Sequence, residues 1–162
     1  MNILIVDDDY IKANKSRQAL EHLFINTNFT FVRNGCNALQ ELTPATSSIQ
    51  YDLIILDMQF PFREDQSIDV KCGIKVLEQI KLSKEYTNPQ KHIDNTIPVI
   101  VCSSMQYPYE LDKYDNVIGY VRYGGQDLTS QYEQYIPKIM HRFKEKSLLD
   151  HKNENDLDFS NR

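Results

Sequence analysis

The sequence predicts an α/β protein built on a doubly wound, five-stranded parallel sheet. Short apolar blocks rich in β-branched residues recur at residues 3–6, 53–56, 99–102 and 117–121. The first three are near-continuous, which is how strands covered on both faces read. Stretches with helical spacing fall between the blocks, and such alternation gives a parallel sheet with helices on both faces. The 162 residues suit one domain, since roughly 150 residues per domain is the usual scale.

Each element has its own warrant. Residues 3–6 (ILIV) form the first strand and end in Asp7, Asp8 and Asp9. Tyr10, Ala13, Arg17, Leu20 and Phe24 follow at 3, 4, 3, 4 spacing, one face of a helix. Residues 29–32 (FTFV) are the weakest strand, and a short helix covers Ala38 to Leu42. Residues 53–56 (LIIL) form the third strand and end in Asp57. Residues 62–72 (FREDQSIDVKC) are polar and longer than the 2–6 residues such connections take, so they read as an elaboration. Gly73 then opens a helix with Ile74, Leu77 and Ile80 on one face, and residues 83–96 are a second polar elaboration. The fourth strand, residues 99–102 (VIVC), is followed by Ser103 and Ser104. Pro108 and many Tyr and Asp make any helix within residues 105–116 short or irregular. After the fifth strand, Leu128, Tyr132, Tyr135, Ile136, Ile139, Met140 and Phe143 make the best amphipathic stripe. Pro137 should kink that helix or shift its start. Residues 148–162 are polar with little periodicity and read as a disordered tail, leaving residues 1–147 as the domain. Right-handed crossovers then favour the strand order 2-1-3-4-5.

Composition narrows the function. Eighteen basic against 23 acidic residues leave a net charge of −5, and a nucleic-acid binder needs a basic footprint. Three cysteines, Cys36, Cys72 and Cys102, form neither a zinc motif nor a disulfide framework, which fits a reducing compartment. The opening MNILIVDDDY lacks the basic start of a signal peptide. No run approaches the ~18 apolar residues of a membrane span, so a cytoplasmic location is expected, with no membrane contact. There is no G-x-G-x-x-G after the first strand and no P-loop, which argues against nucleotide binding. The four histidines have no metal spacing and read as surface residues.

The acids offer more. Ligands of open α/β sheets bind at the carboxyl ends of the strands, where strand order reverses. The first and third strands flank that point, so Asp7, Asp8 and Asp57 converge there. Like charges so close are costly without a cation, and carboxylate oxygens are what Mg2+ selects. Beside such a cation, Asp57 could attack phosphorus as a nucleophile. The plainer reading is that these acids serve turns and the cap of the first helix.

The motifs ILIVDDD, DLIILDMQFP, GIKVLEQI and IPVIVCSS, in this order, resemble the receiver domain of two-component response regulators, which has a flavodoxin-like fold. The resemblance covers roughly residues 2–146. It implies that Asp7 and Asp8 hold Mg2+, that Asp57 is the phosphoacceptor, and that the Gln59 backbone carbonyl completes the metal site. It implies that Pro61 shapes the following loop. It also implies that Ser103 bonds the phosphoryl oxygen and that Tyr120 is the aromatic whose rotamer follows activation.

Departures are as informative. The family's strand-five Lys and following Pro fall on Tyr123 and Gly124. Arg122 is one residue away, and a one-residue offset sends a side chain to the opposite face unless a bulge near Gly124 and Gly125 re-aims it. The stretch from Asp57 to Gly73 is longer than the family's pattern and carries Arg63, Glu64, Asp65 and Lys71. Arg63 and Lys71 are candidates for the lost cation. The expectation is a stand-alone receiver, not an enzyme. A sensor histidine kinase or phosphotransfer protein would be the donor, and an output protein would bind the face of strands four and five and the last helix. The alternative is a pseudo-receiver that binds partners without a phosphorylation switch. LIILDMQ also resembles the opening of haloacid dehalogenase enzymes, but that family needs a second Asp where Gln59 stands.

Overall fold

The computed structural model describes residues 1–145; the tail expected at residues 148–162 lies outside them. The elements are β1 (Asn2–Val6), α1 (Tyr10–Leu23), β2 (Asn28–Val32), α2 (Gly35–Leu42), β3 (Leu53–Leu56), β4 (Phe60–Pro61), β5 (Ile68–Asp69), α3 (Cys72–Leu82), β6 (Val99–Ser103), β7 (Val117–Arg122) and α4 (Leu128–Glu133). The main sheet has five strands in the order β2-β1-β3-β6-β7, every neighbouring pair parallel. This is the expected order, because β4 and β5 form a separate two-stranded hairpin.

The apolar blocks read as they did because the central strands are covered twice. Ile3, Ile5, Leu53, Ile55, Ile100, Cys102 and Val121 pack with Ala13 and Leu20 of α1, Tyr132 of α4 and Ile139. Leu4, Val6, Val32, Ile54, Leu56, Val99 and Val101 pack on the other face with Ala38, Leu42, Val76, Leu77 and Ile80. Burying each such Leu or Ile contributes roughly 1.5–3 kcal/mol. No helix among the described residues is long and apolar enough to cross a membrane.

The structure departs from expectation on the face of α1 and fills in two elements that the sequence marked as irregular. On α1 the buried residues are Lys12, Ala13, Ser16, Ala19 and Leu20. Tyr10 is 69% exposed instead, because it lies beyond the sheet rim, its ring 6.4 Å from that of Phe31. The last helix breaks: α4 ends at Glu133, residues 134–135 turn, and helix resumes over 136–145. Pro137 falls in the first turn of the second piece, where its missing N–H leaves no bond unmade. The short or irregular helix expected within residues 105–116 is a 3-10 segment, Tyr109–Lys113, after Pro108.

Both elaborations are structured. Residues 62–72 hold the loop and second strand of the β4–β5 hairpin, which pairs Phe60 with Asp69 and Pro61 with Ile68. Residues 83–96 hold two 3-10 turns, tied down by the buried Ser83 hydroxyl, which donates to the Ile80 carbonyl and accepts from Ile93 N at 2.9 Å.

The edge strand β7 has two special features. Val99 pairs with Val117 but Ile100 pairs with Gly119, so Ile118 is an extra residue. This re-phases the strand: Val117 and Tyr120 pack on the α2–α3 side, Val121 and Tyr123 on the α1 side. The outer edge is then met by side chains. The Tyr135 hydroxyl accepts from Tyr120 N at 3.2 Å and donates to the Tyr120 carbonyl at 2.9 Å. The Gln131 amide does the same for Arg122, accepting from its N at 2.8 Å and donating to its carbonyl at 3.1 Å. Lys138 Nζ donates to the Ile118 carbonyl at 3.4 Å. Gly119 makes this possible, since a Cβ there would lie 2.6 Å from the Tyr135 ring.

Candidate functional site

The site sits where β1 and β3 end. Asp57 N donates to the Val6 carbonyl at 2.9 Å and Asp7 N to the Val32 carbonyl at 3.0 Å, so both acids are fixed by their backbones. Asp9 does the plain work of capping α1, its carboxylate accepting from Ile11 N and Lys12 N at 2.9 and 3.2 Å. That leaves Asp7, Asp8 and Asp57, which each offer a carboxylate oxygen within 4.8 Å of the others'.

Lys12 enters this cluster from α1. Its ammonium is 2.7 Å from Asp57 Oδ2 and 3.2 Å from Asp7 Oδ2, and the residue is only 7% exposed. Asp57 itself is 4% exposed. Its Oδ1 is the one buried side-chain oxygen or nitrogen among the described residues without a hydrogen-bond partner. Buried polar atoms are almost always bonded, so an orphan at this position marks a place for a ligand.

The electrostatics agree with the geometry. Burial pushes the Asp7 carboxyl up to about 7, with Lys12 opposing and Asp57 adding to the rise. Burial also raises Asp8, further from its ordinary value than Lys12 can offset. Burial works against the Lys12 charge, but Asp57 and Asp7 outweigh it and raise its pKa. Three carboxylates face one ammonium, an excess of negative charge that hard oxygen donors resolve by taking a divalent cation. The residues present therefore fit such an ion.

The other sequence-predicted residues fall on the same rim. Ser103 ends β6, fully buried, and its hydroxyl accepts from Met105 N at 3.5 Å. Tyr120 is half-buried, donates to the Met105 carbonyl, and packs edge-on against Tyr107 with ring centroids 5.4 Å apart. Gln59 lies in the bend after β3 and Pro61 in β4. Gly73 lets α3 approach closely: a Cβ there would stand 2.5 Å from the Asp57 carbonyl oxygen. Tyr107 and Tyr109 are exposed beside this rim, whereas Tyr114 is buried.

The candidates for a replacement cation are elsewhere. Arg63 is exposed beside Lys75 and Glu78, on the α3 side of the hairpin. Lys71 pairs with Glu110 at 3.2 Å. Arg122 is exposed, and no bulge at Gly124 and Gly125 re-aims it; the irregularity is at Ile118. The site's cation is Lys12, which sequence reasoning passed over. One signal was available: Lys12 and Ser16 lie one turn apart on the face that also carries Ala19 and Leu20. Tyr123 presents its ring to this lysine, with Lys12 Nζ 5.7 Å and Lys15 Nζ 5.6 Å from the centroid. Cys72 and Cys102 are buried free thiols. Burial pushes the Cys72 thiol up to about 12 and raises that of Cys102.

No protein-family model matches the sequence, and no curated protein matches it. Solved structures do. A CheY-like response regulator receiver domain from Methylobacillus flagellatus is 19% identical, with a TM-score of 0.59 over 86% of this chain and 98% of that one. The bacteriophytochrome response regulator RtBRR is 25% identical, with a TM-score of 0.61 over 85% and 76%. The Mn2+-bound form of the response regulator Rcp1 is 22% identical, with a TM-score of 0.56 over 82% and 87%. The strand order, the two helical layers and these matches together give the chain the fold of a CheY-like response regulator receiver domain.

Proposed function

We propose that the chain is a receiver module that accepts a phosphoryl group on Asp57 and signals by protein contact. The orphaned Asp57 Oδ1 inside a carboxylate cluster is the observation that carries this. Asp7, Asp8 and Asp57, with the Gln59 backbone carbonyl, would hold a divalent cation, Mg2+ in the cell. Such a cation neutralises charge as a phosphoryl group approaches. The Mn2+-bound relative supports this assignment.

The chemistry is a displacement at phosphorus. Asp57 Oδ1 supplies the electron pair for the new P–O bond. The P–N bond of a donor phosphohistidine breaks, and the imidazole keeps its electrons and gains a proton. With acetyl phosphate the P–O bond to acetate breaks instead. The product is an acyl phosphate, a mixed anhydride that stays on the protein, so the chain acts as a signalling module rather than an enzyme. The Ser103 hydroxyl, buried at the end of β6, would turn to donate to a phosphoryl oxygen. Tyr120, tied to Met105 two residues beyond Ser103, would follow. That carries the change to the β6–β7 side, where Tyr107 and Tyr109 are exposed for an output partner. A sensor histidine kinase or a phosphotransfer protein would supply the phosphoryl group.

Incubation with Mg2+ and acetyl phosphate, rapid quenching and intact mass measurement tests this. A phosphoryl adduct in the wild type that is absent in Asp57→Ala is expected. No adduct in the wild type would overturn it, and the chain would then be a pseudo-receiver that binds partners without this switch, as Tyr123 in place of a strand lysine would suggest.

A further inference from the structure

We propose that Lys12 is the group that neutralises a phosphoryl group on Asp57, and that Tyr123 positions its ammonium; this rests on Asp57 being the acceptor. A lysine this buried is costly unless paired. Lys12 is paired twice, with both ion pairs made to the acids of the site. Among the described residues no other Lys or Arg forms an ion pair with Asp7, Asp8 or Asp57. Its ammonium meets Asp57 Oδ2 and leaves Oδ1 free, so it does not block the oxygen that would bond to phosphorus.

Charge accounts for the rest. An unmodified Asp57 presents one negative charge, and phosphorylation replaces it with a group carrying about −1.5 to −2. The ammonium already 2.7 Å from Asp57 Oδ2 is a donor at hand for the new oxygens. Lys12 keeps its bond to the site and exchanges a carboxylate partner for a phosphoryl one. Its three N–H donors let it do so without leaving Asp7.

Tyr123 and α1 hold that ammonium at the rim. The Tyr123 ring lies beside Lys12 on the α1 face, and the ring's negative face attracts a cation. Its backbone is fixed to the site, since Tyr123 N donates to the Ser103 carbonyl at 3.0 Å. One turn along α1, the Ser16 hydroxyl lies 3.6 Å from Cys102 Sγ and accepts from the Tyr132 hydroxyl at 3.0 Å, which pins the helix to β6 and α4. The extra residue at Ile118 is what turns Tyr123 toward α1. The end of β7 therefore serves the site by holding a helix lysine.

Two ligands separate this proposal from the one beneath it. Mn2+ binding, followed by electron paramagnetic resonance, reports the carboxylates. Beryllofluoride binding in Mg2+, followed by fluorine resonance, reports a phosphoryl mimic on Asp57. Wild type should bind both, and Asp57→Ala neither. Lys12→Met should bind Mn2+ at least as well as wild type, since a positive charge has gone, which also shows that it is folded. The same variant should lose beryllofluoride affinity by about tenfold or more, the scale of one charge-assisted hydrogen bond. Lys12→Arg should recover part of it. Tyr123→Leu, which touches no carboxylate, should weaken beryllofluoride binding while Mn2+ affinity stays put; a purely structural role would move both. Wild type that binds no beryllofluoride would sink the Asp57 assignment. Wild type and Lys12→Met binding it equally well would sink the Lys12 proposal alone, and an unchanged Tyr123→Leu would remove its positioning part.

Discussion

Asp7 is the carboxylate on which the crowding at the rim falls most heavily. It faces Lys12 from α1, Asp57 from the end of β3 and its neighbour Asp8. Its folded pKa, pushed up to about 7, lies above the ordinary 3.8 of the unfolded chain. The folded state therefore keeps a proton that the unfolded chain has lost, and stability falls as pH rises between those values. Metal-free protein should show a melting temperature that drops from about pH 5 to about pH 8, and Asp7→Asn should flatten that slope. If Asp7, Asp8 and Asp57 take Mg2+ as proposed, adding it should raise the melting temperature most at the alkaline end, where the folded cluster is ionised. Gly73 makes a second point at this scale. A Cβ there meets the Asp57 carbonyl and, at 3.0 Å, Met58 Cα, both backbone that cannot yield. Gly73→Ala should cost about 1–3 kcal/mol in urea unfolding and also slow phosphorylation by shifting Asp57. Asp7, Asp8, Asp57 and Ser103 were legible because a strand end fixes where its residue goes. Lys12 was not, because the helix periodicity was counted from Tyr10, which lies past the sheet. Counted from Lys12, the buried positions fall in step.

At the scale of elements, what the sequence hid was where regular structure is interrupted. The apolar blocks found β1, β3, β6 and β7; in the first three blocks, burial on both faces leaves no polar residue to confuse them. The extra residue at Ile118 left no mark, because Val117, Ile118 and Val121 are all apolar and fit either phase. Pro137 announced a kink or a shifted start, and the outcome was a fresh start at residue 136, with Tyr135 and Gln131 meeting β7. The stripe held in part: Tyr132 and Ile139 are fully buried, whereas Phe143 is exposed. Tyr132 also carries the polar link among α1, β6 and α4. Removing its hydroxyl leaves the buried Ser16 without its donor, and Tyr132→Phe should lose about 1–3 kcal/mol. Chemical denaturation would measure it, and an unchanged midpoint would show that the Ser16–Tyr132 bond is not holding α1. Residues 62–72 and 83–96 could be recognised as elaborations from length alone. The 3-10 turns of the second depend on the Ser83 hydroxyl meeting Ile93 N ten residues on, which no local pattern reveals.

Taken as a whole, the molecule has its acidic cluster at one end of the sheet and an unusual side wall. Strand order and helical layers follow from alternation and handedness, so they were readable before any coordinates. The side wall was not, because it depends on one amide, one phenol and one amine meeting alternate residues of β7. Exposed strand edges invite pairing with another chain. Gln131→Ala combined with Tyr135→Phe should leave the fold intact but make the protein self-associate as its concentration rises, which light scattering would detect. Wild type should stay at one mass over the same range. The lining made by Gln131, Tyr135 and Lys138 has a consequence for recognition too. A visitor cannot add a strand to this flank by simple zippering. It must either settle on the outer surface of the helical pieces or first peel them away, and peeling them would tug at Tyr132, Ser16 and the turn of α1 that carries Lys12. Docking at the flank and chemistry at the rim would then be felt by each other through a single helix.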